Sequence, residues 1–445
     1  MQKRRPKNAS RTIAICFAAI IILGTVLLLL PFSSRDGSSC GVVTALFTST
    51  SATCVTGLIL RDTWTQWSGF GQTVILCLIE IGGLGFMTAA SLLIFGLRKK
   101  VNMDGRMLMA QLIGSEDIGD SVRMQKRVLL GCLSVQLAGA AILTVRFSFK
   151  YGFLSAVKLG VFHSVSAFCN AGFDIFGFER EGVSLGLYHT DAVVSLTISA
   201  LIIIGGIGFL VWDEIFRVRS FRKLSVYSKL VLLTTAVLLL CGAVLYLVFE
   251  WNNTLANLPF GEKLLAAFFQ SSTVRTAGFA GIDQGALSYP SKALTVLLML
   301  IGGSSGSTAG GLKTVTFVVL ILFLRSRIKG EERPHIFSRS IRLHDVLNAL
   351  TIFGIMVGLA FFGSIVLCAS SGVSLTNAVY ECVSALATVG LTTGITPSLS
   401  IIAHLLLIFF MYFGRVGILT VSLGFLRDKK AQSKYEYAKT SLIIG

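Results

Sequence analysis

Residues 47–57 read FTSTSATCVTG, and three later stretches follow the same plan: FHSVSAFCNAG at 162–172, FFQSSTVRTAG at 268–278 and YECVSALATVG at 380–390. Each sets an aromatic ten residues before a glycine, with Ser51, Ser166, Ser272 and Ser384 six residues before it. Each glycine is followed by Leu or Phe, and the glycines lie 115, 106 and 112 residues apart. Self-similarity at a regular interval is read before any single residue, and here it divides the chain into four units. They fall at 1–104, 105–224, 225–335 and 336–445.

The chain around these stretches is 445 residues long, 53% hydrophobic and 14% charged, with a mean hydropathy of +0.78. Soluble domains carry about 25% charged residues, so this composition belongs to a polytopic membrane protein. The net charge of +17 does not point to nucleic acid, because 28 of the 39 Lys and Arg fall in five blocks separated by pairs of apolar spans. Blocks at 1–11, 98–127, 217–229, 325–342 and 427–445 then share one side, which the positive-inside rule makes cytoplasmic, with both termini. The nine cysteines form no CxxC pair and mostly lie in apolar runs, where Cys acts as a small hydrophobe. The apolar run after the basic N-terminus ends at Pro31 without a cleavage site and reads as a retained span.

Each unit pairs two long apolar runs with a short one between them. The outgoing runs are Thr12–Leu30, Val128–Val145, Leu230–Phe249 and Val346–Ala369. The returning runs are Gln72–Leu97, Ala192–Trp212, Ala293–Leu324 and Ile401–Leu426. The short runs Val42–Thr53, Val157–Phe168, Glu262–Thr273 and Leu375–Ala387 rise about 18 Å as helices and cannot cross a core of about 30 Å. They must enter and turn back. Non-helical backbone at that depth has to be buried in protein or line water. The expected fold is all-α: eight transmembrane helices plus four re-entrant pore helices, with pseudo-four-fold symmetry around one pore.

The residues at the turns are Val55-Thr56-Gly57, Asn170-Ala171-Gly172, Thr276-Ala277-Gly278 and Thr388-Val389-Gly390. None is acidic, which leaves backbone carbonyls to replace the hydration shell of K⁺. Each short helix also aims its negative C-terminal end at the centre.

This arrangement resembles the Trk/Ktr/HKT superfamily of potassium transporters, built of four fused helix–pore-loop–helix units, over nearly the whole chain. Thr388-Val389-Gly390 is also similar to the TVG of tetrameric potassium channels. Within the superfamily, glycine at all four filter positions marks potassium preference, while serine in the first marks many sodium-preferring relatives. The chain opens directly on the first unit and has short loops, so it looks most like the bacterial Ktr membrane subunit. The resemblance implies a homodimer in the bacterial cytoplasmic membrane, each protomer with its own pore. It also implies a separate cytosolic RCK ring carrying the regulatory nucleotide, since no dinucleotide-binding fingerprint follows a strand here. This chain would bind no cofactor; K⁺ is the transported ion and Na⁺ a candidate activator. A Na⁺- or H⁺-coupled symporter and a less selective K⁺/Na⁺ transporter are the alternatives. Coupled carriers usually hold buried ionisable groups, and Glu80 is the one carboxylate deep in an expected span. An enzyme is not expected, because the five histidines are isolated and no nucleophile–base pair is visible.

The third return run, Ala293–Leu324, would be about 48 Å long as one helix and should therefore break. The break is Gly302, Gly303, Ser304, Ser305, Gly306, Ser307, Thr308, Ala309, Gly310, Gly311, Leu312, Lys313 and Thr314. Its end looks like a phosphate-binding loop, but Leu312 separates the glycine from the lysine and no soluble strand precedes it. The resemblance makes this segment an intramembrane gate below the filter, with Arg415 of the last span beside it. A charge at that depth is functional by default, although a salt bridge with Glu80 is an equally good reading. Lys313 is expected to snorkel towards an interface. Arg275 reads as a scaffold residue bonding pore-helix carbonyls. Asp62, Asp174 and Asp283 read as loop caps or as a cation-concentrating vestibule. Glycine pairs recur in the return runs at Gly82, Gly205 and Gly302, with Gly414 in the fourth, and read as close-packing positions.

Overall fold

The computed structural model of the chain describes residues 9–84, 121–331, 333–337 and 339–417. Most of the first basic loop and the basic C-terminal tail lie outside these residues, as do the later parts of the first and fourth return runs. The described chain is mostly helical. Its only paired strands are β1 (His335–Ile336) and β2 (Arg339–Ser340), a small antiparallel hairpin among the described residues.

Along the chain come α1 (Ala9–Leu29), α2 (Val42–Thr53), the short α3 (Thr63–Gln66) and α4 (Gly69–Leu84). Then follow α5 (Ser121–Ser148), α6 (Phe153–Phe168), α7 (Ala192–Ile207) and α8 (Phe209–Val218). Next are α9 (Val226–Glu250), α10 (Phe260–Thr273), α11 (Tyr289–Leu300) and α12 (Thr314–Ile328). Last come α13 (Leu343–Ser371), α14 (Leu375–Leu386) and α15 (Ile401–Tyr412). Among the described residues, three stretches are long and apolar enough to cross a bilayer: Lys126–Ser148, Val226–Glu250 and Leu343–Ser371, with α7 and α8 a fourth if the bent pair counts as one.

The short helices α2, α6, α10 and α14 hold 12, 16, 14 and 12 residues. At 1.5 Å per residue they reach about 18–24 Å, short of a bilayer core. Their burial is inverted relative to a soluble protein. In α2 the hydroxyls of Thr48, Ser49, Thr50, Ser51 and Thr53 are buried, while α9 exposes Leu233, Val237, Leu240 and Val244. Apolar surface outside and polar groups inside suit a lipid solvent.

Each short helix packs on the long helix before it: α2 on α1, α6 on α5, α10 on α9 and α14 on α13. The contacts rest on glycines. A Cβ on Gly24, Gly139 or Gly242 would press on the hydroxyl of Ser49, Ser164 or Ser271, and one on Gly363 would meet the Cys382 sulfur. All three hydroxyls donate to long-helix carbonyls: Ser49 to Ile21 at 2.7 Å, Ser164 to Gln136 at 2.6 Å and Ser271 to Leu239 at 2.8 Å. Each return helix also packs on the next short helix: α4 on α6, α7 on α10, α11 on α14 and α15 on α2. The last contact returns to the first, so the four short helices stand in a closed ring.

The return run expected as one span over Ala192–Trp212 is instead bent by 94° between α7 and α8, at Gly208. Gly208 has φ +98, and a side chain there would run into Ser304 and Ser305 of the third return run. The expected break in that third run falls where the glycines and serines put it, between Leu300 and Thr314.

Candidate functional site

The four glycine stretches converge at the centre of this ring. A Cβ on Gly57 would overlap the carbonyl oxygen of Ala171, on Gly172 that of Ala277, on Gly278 that of Val389, and on Gly390 that of Thr56. The contacts run from first stretch to second, third, fourth and back to the first. Only hydrogen fits at these four positions, because the backbones themselves are in contact.

The backbone before each glycine is left-handed. φ is 58° at Val55, 59° at Asn170, 71° at Thr276 and 52° at Thr388, and the glycines at 57, 172, 278 and 390 have φ of 96°, 66°, 83° and 93°. Three of the four non-glycine residues are β-branched, for which positive φ is an outlier. Strain of this kind costs about 1–3 kcal/mol per residue and persists where the surroundings impose it. Alternating left-handed with ordinary residues turns successive peptide groups the same way, so that their carbonyls can face one axis. Side-chain oxygens of Thr56, Asn170, Thr276 and Thr388 are buried there without a hydrogen-bond partner.

The repeated serines hold the stretches in two different ways. Ser51 and Ser384 accept from the N–H of Gly57 and Gly390 at 3.0 and 3.1 Å. Ser166 donates to the carbonyl of Phe173 at 2.7 Å. In the third stretch Thr273 takes that role, donating to Phe279 at 2.8 Å, while Ser272 turns back to Phe268 of its own helix. The ring therefore has matched backbones but unlike supports.

Carboxylates stay out of the ring. Asp62 accepts from the N–H groups of Trp64 and Thr65 at the start of α3, Asp174 from Phe176, and Asp283 from Gly285, so all three cap loops. Lys150, two residues after α5, lies 2.6 Å from Glu179, and that hydrogen bond raises the ammonium above its ordinary pKa. Glu381, which the repeat pattern does not single out, is buried in α14. It accepts from Thr392, from the Thr393 N–H at 3.1 Å and from Thr396 at 2.9 Å, and so anchors the segment after Gly390. An acid directly after the aromatic of its repeat was the available signal. Among the described residues no cluster of His, Cys, Asp or Glu could hold a metal ion.

Below the ring lies the loop 302–314. It is closed on itself by Gly302 N–H to Leu312 at 2.8 Å, Thr314 N–H to Gly303 at 3.1 Å, Ser307 to Ser304 at 2.7 Å and Lys313 to Ala309 at 2.7 Å. Lys313 thus folds onto its own loop and does not snorkel. Gly310 abuts Thr388, and Gly311 abuts Gly302 and Ala387. Thr308 joins the loop to the second stretch: it donates to Phe168 at 3.0 Å and accepts from Asn170 at 3.0 Å. Tyr227 at the start of α9 donates to Ser305 at 3.0 Å.

Arg415 stands on a π turn, Phe413–Gly417, that continues α15. It donates to the Thr308 carbonyl at 2.5 Å and to Gly82 and Gly83 at 2.6 and 3.3 Å. The salt bridge with Glu80 does not form. Glu80 accepts instead from Gln136 at 3.0 Å and from Cys169 at 3.3 Å. Arg275 is also corrected: its guanidinium donates to Gly302 at 3.4 Å, at the start of the loop, and not to a pore-helix carbonyl. Among the glycine pairs, Gly82, Gly205 and Gly414 pack on the last carbonyls of α2, α6 and α14, while Gly302 packs on Gly310 inside the loop.

A ring of four chain segments beside a self-bonded loop, inside a helical bundle with an apolar exterior, defines a membrane protein. The family described as TrkH, cation transport protein, matches residues 2–435. The potassium/sodium uptake protein NtpJ of Enterococcus hirae is 40% identical over 453 residues, covering 100% of this chain and 99% of that protein. The Ktr system potassium uptake protein B of Bacillus subtilis is 38% identical over 427 residues, covering 96% and 94%. The crystal structure of the potassium transporter TrkH from Vibrio parahaemolyticus shares the fold, with a TM-score of 0.71 at 19% identity over 96% of this chain and 87% of that one. The chain belongs to the TrkH family of cation transporters, which are not enzymes.

Proposed function

We propose that the chain is a K⁺-selective uptake protein whose ions pass through the four-stretch ring, dehydrated by backbone carbonyls of Val55–Gly57, Asn170–Gly172, Thr276–Gly278 and Thr388–Gly390. The observation that carries this reading is the cyclic contact of the four glycines, each against the carbonyl of the next stretch. Rings of carbonyls can replace the hydration shell of K⁺, and the unpartnered oxygens of Thr56, Asn170, Thr276 and Thr388 add polar groups at its wall. In this reading the chain comprises four outgoing-helix, pore-helix and return-helix units, with eight crossings and both termini cytoplasmic. The names of the relatives, potassium and sodium uptake proteins and Ktr components, support the ion and a multi-component system.

The loop 302–314 is then the gate, held shut by Arg415 and Thr308, and a cytosolic nucleotide-binding RCK ring is the regulator. A homodimer in the cytoplasmic membrane completes the assembly. Complementation of a K⁺-uptake-deficient bacterium tests the reading. The wild-type chain with an RCK partner should restore growth at low K⁺, while Gly57→Ser should admit more Na⁺. A chain that reaches the membrane and never restores growth sinks the proposal.

Na⁺ coupling is the second reading, favoured by the potassium/sodium name of the 40% identical relative. K⁺ currents that reverse at the K⁺ equilibrium potential with and without Na⁺ would dismiss it. The carboxylates Glu80 and Glu381, half-buried and buried, are footholds for proton coupling, and pH-insensitive flux would remove them.

A further inference from the structure

The loop 302–314 is not held by the fourth unit alone. Its middle is threaded into the bend between α7 and α8. The N–H of Thr308 takes the carbonyl of Gly205 at 3.2 Å, and the N–H of Ser304 takes that of Gly206 at 3.0 Å. The Ser304 hydroxyl takes the carbonyl of Ile207. In return the N–H of Phe209 donates to Gly306 at 2.9 Å. In a continuous helix the carbonyls of residues 205, 206 and 207 would face the N–H groups of residues 209, 210 and 211. The loop occupies those positions, and the single proton on the Phe209 nitrogen can serve the helix or the loop but not both. The bend is further kept by Trp212, whose indole N–H donates back to Ile204 at 3.0 Å.

At its far end α8 is latched. Asp213 pairs with Arg127 of α5 at 2.7 Å. Glu214 accepts from the N–H and hydroxyl of Ser225 at 2.5 and 2.7 Å, and from Ser228, at the start of α9.

We propose that α8 is the lever of the gate: straightening α7 and α8 into one helix and seating the loop in the bend are mutually exclusive, so displacing α8 releases the loop. This rests on the reading of 302–314 as the gate and adds its means of control. Two sets of partners for the same backbone groups make a two-state element, and an agent that favours one state shifts the population by its differential binding. The second unit, with no glycine-serine insertion of its own, thereby becomes a gating element.

Gly208→Ala acts on both sides of this balance. It removes the residue that tolerates φ +98 beside Ser304, and alanine favours a continuous helix. The pair Asp213→Asn with Glu214→Gln weakens the latches without touching the bend. The full chain in proteoliposomes, without a partner, is assayed for Rb⁺ flux. Spin labels at positions 193 and 216, with the reactive native cysteines replaced, report the helix geometry. From 1.5 Å per residue, the labels should lie about 25 Å apart across the 94° bend and about 35 Å apart in a straight helix. The expected result is a population near the longer distance in both variants and a flux raised about fivefold or more in Gly208→Ala. A shortened 304–308 loop serves as the control for the gate. If it raises flux while Gly208→Ala, correctly folded, stays at the short distance with wild-type flux, the lever is overturned and the gate stands. If the helix straightens but neither variant nor control changes flux, the gate reading fails and the lever with it.

Discussion

Arg415 serves two segments that each need a donor. Its guanidinium reaches the carbonyl of Thr308 in the loop and those of Gly82 and Gly83 at the end of α4. A planar fork can do this from one position, whereas an ammonium is a single point of charge. Arg415→Lys is therefore expected to raise basal ion flux nearly as much as Arg415→Ala, read as Rb⁺ uptake into proteoliposomes. Wild-type tightness in the lysine variant would show that charge alone closes the path. The alanine variant should also lose stability by about 1.5–3 kcal/mol, the scale of hydrogen bonds to a charged group. The serines allow a second comparison. Ser384→Ala leaves the N–H of Gly390 buried without a partner, at about 1–3 kcal/mol. Ser272→Ala removes only a bond to its own helix and should cost less. Thermal melting of the two purified variants checks the order; equal losses would mean that the shared offset, and not the bonding, sets their worth.

At the scale of elements, the helices were legible where composition left one solution. Val42–Thr53 is both the short apolar run of the sequence and the helix α2. The break after Leu300 is legible because five glycines and three serines cannot continue a span. The bend after Ile207 was not, since Ile204–Phe209 (IGGIGF) reads as part of one apolar run and its partners in the loop 302–314 lie far along the chain. The third unit's loop selects it, through tertiary contacts that no local pattern contains. The four serines were legible as a repeat, but their bonding differs because the third short helix supplies Thr273 in place of Ser272. The expected Glu80–Arg415 pair failed for a related reason: similar depth in two spans says nothing about which helix faces intervene, and Gln136 and Cys169 stand beside Glu80. The contacts between long and short helices give a prediction of their own. Gly242→Ala inserts a methyl against Ser271 and should cost about 1–3 kcal/mol by overpacking. Gly358→Ala in α13 meets nothing within 4 Å and should be neutral or stabilise by up to about 1 kcal/mol. Comparable losses at both sites in a detergent melting assay would deny the close approach of α9 and α10.

For the whole molecule, the division of labour follows from the connectivity. Every return helix packs on the next short helix, and the fourth packs on the first, so the ring is supported from all sides at once. In the proposed function, selectivity is then a property of four stretches that no single unit can build. The loop, by contrast, meets the stretches through Gly302, Thr308, Gly310 and Gly311, against Arg275, Asn170, Thr388 and Ala387, and is gripped by the second unit and by Arg415. In the same proposal, gating draws on three units where composition alone suggested two.

The most direct test of the account is ion selectivity in the series Gly57→Ser, Gly172→Ser, Gly278→Ser and Gly390→Ser, measured as K⁺ against Na⁺ competition for Rb⁺ uptake in proteoliposomes. Because each missing Cβ faces the carbonyl of the next stretch, each serine should lower the preference for K⁺. A series in which folded variants at three of the positions kept wild-type selectivity would contradict a ring of four equal contributors.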